Sequence, residues 1–323
     1  MAIRFNILRY IHHDAKFLVK DKIPLGQLIP ILAQAGKGKS MFGEALAISM
    51  VFGKPFLGLE TIQGDVLIID QDTPTAILEN RLLCFGQAFK PDKQKHNLFL
   101  SSMEGHSLSD GTLINEIEQY PSAKLVLIDS LHSVSDNLNT NSTQDMAKLT
   151  KLKNACLNEK RTIILVHHIS EKNDIGLSEL MRGETGKLAM GSSVINQQAD
   201  SYFILSGEGK AGMGELNKLY IRPVTKRVPF DNSPMVLKLC GDKDTAEWFE
   251  LDGTYRYELK EIEQDILALF TDNPIERKVE TVYRDMGAKH GINAVRQSLK
   301  DLTAQGDIQF RKEGANIFKY RLS

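Results

Sequence analysis

The chain has 323 residues, enough for one large α/β domain with a small one beside it, or for two of medium size. With 40 Lys+Arg against 41 Asp+Glu the net charge is -1, which excludes a generally basic, histone-like chain and leaves only local basic patches for a polyanionic partner. A hydrophobic fraction of 42% supports an ordinary core, and the 3 cysteines, Cys84, Cys156 and Cys240, are too scattered for a disulfide scaffold or a CxxC metal site.

The longest apolar runs are about strand length and the start carries no signal-peptide pattern, so a soluble, cytoplasmic protein with no membrane partner is expected. Residues 1–29 are mixed, and Ile23 to Gln27 reads as a turn. From Leu28 the chain alternates. Leu28–Ala33 is a predicted strand, Ser40–Val51 a helix, Asp65–Ile69 a strand, Pro74–Ala88 a helix and Leu98–Leu100 a short strand. Ala123–Ile128 and Thr162–Val166 are further strands around a helix over Thr143–Glu159, whose Met146, Leu149, Leu152, Ala155 and Cys156 recur at helical spacing. Unbroken apolar strands alternating with helices imply a mostly parallel sheet covered on both faces. Residues 171–193 are rich in Gly, Lys and Glu and read as a loop region. Tyr202–Leu205, Lys218–Ile221, Met235–Leu239 and Trp248-Phe249 read as later strands.

A separate small domain is expected over 258–323, after a larger α/β domain over 1–257. Ile262, Ile266, Leu267, Leu269 and Phe270 make one helix face, and Pro274–Met286 and Ile292–Leu302 make two more helices. Gly306–Phe310 and Ile317–Leu322 form a hairpin. Three helices and a terminal hairpin follow the order of a winged helix-turn-helix.

The run Ala33-Gln34-Ala35-Gly36-Lys37-Gly38-Lys39-Ser40 lies between a predicted strand and a predicted helix, the context a phosphate-binding loop requires. Its glycines let successive N–H groups curl around phosphates, and the helix N-terminus adds partial positive charge. Lys39 would reach the β- and γ-phosphates, and the Ser40 hydroxyl would ligate Mg²⁺. The usual first glycine is here Ala33. Gly36 to Ser40, with Met41 following, is the expected nucleotide-contacting stretch. Asp129 ends an apolar strand, where such a loop needs an acid for the magnesium shell. Asp70 and Asp72 follow the second strand. Asp72, further into the loop, is the candidate for acting on water, the competing reading being that one or both cap the helix near Pro74. His167-His168 cannot chelate one ion together, because neighbours on a strand face opposite sides, and no third ligand is evident.

Gly36 to Ser40, Asp72, Asp129 and the strand ending Val166-His167-His168 together resemble the RecA-like ATPase fold, most of all the hexameric RepA-like plasmid helicases, relatives of the DnaB-like and KaiC-like ATPases. The resemblance covers roughly residues 25–240 and implies ATP and Mg²⁺, a homo-oligomer in the form of a hexameric ring, and single-stranded DNA in its hole. It gives Asp72 the water-activating role, where the family more often has glutamate, and His168 that of a γ-phosphate sensor. The stretch from Asp72 through Arg81 is similar to the family's, which puts Arg81 at the nucleotide. It also implies that the loop with Arg182 and Lys187 lines the hole, and that Lys226 or Arg227 reaches ATP on the next subunit. The other readings are a solvated loop and a DNA-binding basic rim.

From Lys289 to Ser323 seven Lys/Arg face three Asp/Glu, a local balance of +4. A helix exposing Asn293, Arg296, Gln297 and Lys300, with a wing at Arg311 and Lys312, would contact duplex DNA, or the module docks a protein. The expected function is an ATP-driven helicase or translocase for a plasmid or other mobile element, working with a separate primase, loader or initiator. The alternative is a DNA-binding ATPase that does not unwind: a recombination mediator, a loader or a nucleotide-switched regulator.

Overall fold

Runs such as Leu28–Ala33 and Ala123–Asp129, apolar at nearly every position, can be satisfied only between two covering layers, and that is the architecture of the computed structural model. It describes residues 16–88, 94–135, 143–156, 161–169, 198–208, 218–225, 233–240, 248–254, 261–272, 275–287, 289–305, 308–312 and 318–322. These fall into two compact units, 16–254 and 261–322.

In the first unit a short antiparallel pair, β1 (Phe17–Val19) and β2 (Ile23–Pro24), occupies the region read as a turn. Then come β3 (Leu28–Ala33), α1 (Lys39–Phe52), β4 (Asp65–Asp70), α2 (Thr75–Ala88), β5 (Leu98–Ser102), α3 (Thr112–Gln119), β6 (Ala123–Asp129), α4 (Leu131–Val134), α5 (Thr143–Ala155) and β7 (Thr162–His168). β8 (Ser201–Glu208), β9 (Lys218–Thr225), β10 (Met235–Cys240) and β11 (Trp248–Thr254) complete it. The sheet order is β11-β10-β9-β8-β3-β7-β6-β4-β5. The strands from β8 to β5 run parallel, and β9, β10 and β11 continue antiparallel.

Alternate strand residues divide the core. Ile29, Ile31, Val66, Ile68, Leu125, Leu127, Ile164 and Val166 pack with Phe42 and Leu46 of α1 and Leu78, Leu82 and Phe85 of α2. Leu28, Leu67, Ile69, Val126, Ile128, Ile163 and Leu165 pack with Leu113 and Ile117 of α3, Leu131 and Val134 of α4, and Leu149 and Leu152 of α5. Gly43 lets α1 lie close on the sheet: a Cβ there would stand 2.7 Å from a Leu127 methyl.

The second unit holds α6 (Glu261–Asp272), β12 (Arg277–Lys278), α7 (Val279–Asp285), α8 (Ile292–Gln305), β13 (Ile308–Lys312) and β14 (Phe318–Leu322), with sheet order β12-β14-β13. Its core joins Ile262, Ile266, Phe270, Val282, Val295, Leu299, Leu302, Ile308 and Tyr320. The helix expected over Pro274–Met286 is shorter than the sequence suggested. Arg277 is instead extended, buried against the Phe270 ring at 5.3 Å and bonded through Nε to Asp285 at 3.1 Å. Pairing with β14 holds that extended pair of residues out of the helix.

Candidate nucleotide site

β3 delivers the chain to Ala33, and α1 begins six residues later at Lys39. The turn between them needs left-handed backbone twice, at Gly36 (φ 71) and at Gly38 (φ 77), which is the residue before the helix. No acid sits in the first turn of α1, so its N-terminal partial charge is left for an anion. Lys39 is only 3% exposed, and its ammonium folds back to donate to Ala33 O at 3.0 Å and Gln34 O at 2.5 Å. Burial lowers its pKa to about 8, against the pull of Asp129. Lys37 Nζ donates to Gly207 O of β8 at 2.8 Å. The Met41 side chain packs on the core, so only its backbone is offered to a phosphate.

The parallel register sets Asp70 of β4 directly beside Asp129 of β6. Their surroundings separate them. Asp70 is 1% exposed, and its Oδ1 accepts the backbone N–H groups of Asp72 and Thr73, both at 2.8 Å. It holds the loop and has no free face for water. Asp129 is 5% exposed and accepts the Ser40 hydroxyl. Burial pushes its pKa up to about 6. The Ser40 bond opposes that, and the charges of Asp70 and Asp72 add to it. Asp72 is exposed and accepts the Ser133 hydroxyl, which is itself bonded to Ser130 at 2.8 Å. His168, at the end of β7, brings one ring nitrogen within 4.8 Å of carboxylate oxygens of both Asp72 and Asp129, which lie equally close to each other. Burial and then Lys39 lower the His168 pKa, against the pull of Asp72. His167 points away, with its Nδ1 buried and unbonded and its pKa pushed down to about 4 by burial. The sequence offered the histidine pair no third ligand, whereas the fold supplies two acids to His168 alone. Hard oxygen donors from Ser40 and Asp129, beside an anion-binding turn, fit a magnesium-bound phosphate.

The sequence reading passed over one residue here. Glu44 stands on α1 one turn beyond Ser40 and is 1% exposed. Its Oε1 accepts Arg81 Nη2 at 2.6 Å. Burial pushes the Glu44 pKa up to about 7, and the guanidinium only partly offsets this. Arg81, expected at the nucleotide, is thus engaged with Glu44. It also lies 3.4 Å from the Thr73 hydroxyl and 3.7 Å from Asp70 Oδ2. A lone acid among Phe42, Ala45, Leu46 and Ala47, four residues from Ser40, was the available signal.

A family model described as an AAA domain matches residues 12–174, just over half of the chain. The chain belongs to the AAA domain family. It is thereby a P-loop ATPase by class, and such a domain implies nucleotide binding, usually with Mg²⁺. No curated protein matches the chain. The AAA domain match takes in Lys39, Asp72, Asp129 and His168. Arg182, Lys187, Lys226 and Arg227 lie beyond it and outside the described residues. The strand expected to end at Ile221 runs on through Thr225 as β9.

Beyond the AAA domain, in the second unit, Asn293, Arg296, Gln297 and Lys300 are all exposed on α8. Arg311 is exposed on β13 and pairs with Glu276 at 2.9 Å, and Lys289 pairs with Glu261 at 2.7 Å and Asp265 at 3.0 Å. Lys312 is on β13, but its side chain lies outside the described residues. Among the described residues no helix is long and apolar enough to cross a membrane.

Proposed function

We propose that this chain is an ATP-driven, ring-forming DNA helicase or translocase of mobile-element replication, with a RecA-like core and a C-terminal winged helix. The observation that carries the reading is the convergence of Asp72, Asp129 and His168 beside the phosphate loop, at the C-terminal ends of the neighbouring parallel strands β4, β6 and β7. Lys39 would exchange its two carbonyl partners for phosphate oxygens. Ser40 and Asp129 would hold Mg²⁺, which when bound neutralises charge on the β- and γ-phosphates. Asp72, exposed and oriented by Ser133, takes the proton of the attacking water. His168 donates toward the γ-phosphate and reports its loss. Lys226 or Arg227 supplies a cation to ATP on a neighbouring subunit, and the loop with Arg182 and Lys187 meets single-stranded DNA.

The DNA assignment of the second unit is supported by the exposure of Asn293, Arg296, Gln297 and Lys300 along α8. The ion pairs that occupy Lys289 and Arg311 favour a second reading, in which this unit docks a protein and the chain acts as a loader or regulator that does not unwind. Strand displacement on forked DNA with and without ATP, beside a native mass measurement, decides between them. ATP-dependent displacement by a multimer supports the helicase. Hydrolysis by a multimer without displacement supports the second reading.

A further inference from the structure

Glu44 has no task in the scheme above, yet it is a buried carboxylate one helical turn from Ser40. The second bond that a carboxylate and a guanidinium can make is missing. Glu44 Oε2 and Arg81 Nε are both buried and unbonded, so the pair is held through Arg81 Nη2 alone. That same Nη2 reaches Thr73 and Asp70, the two ends of the turn that carries Asp72. The turn is closed from within by Asp70 Oδ1 on the amides of Asp72 and Thr73. The guanidinium is held at 2.6 Å from Glu44 and at 3.7 Å from Asp70 Oδ2, which leaves Asp70 Oδ1 to those amides. With Glu44 gone, Asp70 becomes the nearest full negative charge for Arg81, and a guanidinium settling on it competes with the amides.

We propose that Glu44 and Arg81 form a strut that fixes the Asp70–Thr73 turn and thereby aims Asp72. Both are positioning residues, and neither touches a reacting atom. The inference rests on the reading of Asp72 as the group acting on water, but its structural half can be measured without catalysis.

Hydrogen exchange at the Asp72 and Thr73 amides in the nucleotide-free chain reads the turn directly. Glu44→Gln and Arg81→Ala should each speed exchange there roughly tenfold, with β6 and β7 unchanged, and Arg81→Lys should fall between. In ATP hydrolysis the same variants should lower kcat roughly 10- to 100-fold while the Kd of a fluorescent nucleotide stays within about threefold. They should cost nothing further in an Asp72→Asn background. Unchanged exchange in both Glu44→Gln and Arg81→Ala overturns the strut, whatever the chain hydrolyses. Nucleotide binding lost in Arg81→Ala but untouched in Glu44→Gln overturns it too, and makes Arg81 a nucleotide contact. Faster exchange together with full turnover by Asp72→Asn upholds the strut and rejects the reading of Asp72.

Discussion

Glu44 also permits a quantitative test of how burial and ion pairing compete in this site. Arg81 on α2 favours its charged form, while Asp70 on β4, Asp129 on β6 and above all burial oppose it, leaving the pKa raised from 4.5 to about 7. A carboxyl that holds its proton more tightly when folded stabilises the fold fully below the unfolded value. That contribution is lost as pH rises from about 4.5 through about 7. Between pH 5 and pH 8 the loss amounts to about 2–3 kcal/mol. Glu44→Gln removes the titration and keeps the shape. Urea unfolding followed by circular dichroism reads the stability. Wild type should therefore lose about 2–3 kcal/mol relative to Glu44→Gln on going from pH 5 to pH 8. A difference that stays constant, or that grows in favour of wild type as pH rises, would refute the reasoning and show that the Arg81 pair outweighs burial.

Lys39→Ala should weaken nucleotide binding at least roughly 100-fold, with circular dichroism unchanged, if its ammonium takes up phosphate oxygens as proposed. Retained binding in a fluorescent-nucleotide titration would displace it from that role. Gly43→Val should lower stability by about 1–3 kcal/mol through overpacking against Leu127, read as a fall in Tm, and an unchanged Tm would mean that α1 can lift from β6 without cost. Cys156 is 1% exposed and burial pushes its thiol up to about 12, so it should resist a thiol reagent until the chain unfolds. Rapid labelling of all 3 cysteines in the native protein would contradict that burial.

Parallel strands could be read from the sequence because both their faces are buried: Leu127 is flanked by Val126 and Ile128, which are as apolar and face the opposite side. The phosphate turn was legible because only a strand, glycines and a helix in that order make one. Short elements were not. β1 and β2 exist through each other's hydrogen bonds, and α3 shows only a short apolar face, Leu113, Ile114 and Ile117, that the finished sheet makes meaningful. The same limit applied within the site. Asp70 and Asp72 are two residues apart and alike in sequence, and what separates them is which amides the backbone turns toward Asp70. Arg81 lay in a familiar stretch, but its partner is 37 residues away on another helix, a contact no local pattern contains.

The proposed mechanism has Asp72 act on water in an ATPase coupled to single-stranded DNA. Steady-state ATP turnover by wild type and Asp72→Asn, each with and without single-stranded DNA, tests it most directly when nucleotide Kd is measured on the same samples. Wild-type turnover should rise with DNA. Asp72→Asn should bind nucleotide within about threefold of wild type yet turn over roughly 100-fold more slowly, with or without DNA. Turnover by Asp72→Asn at the wild-type rate, or wild-type turnover indifferent to DNA, would contradict the account.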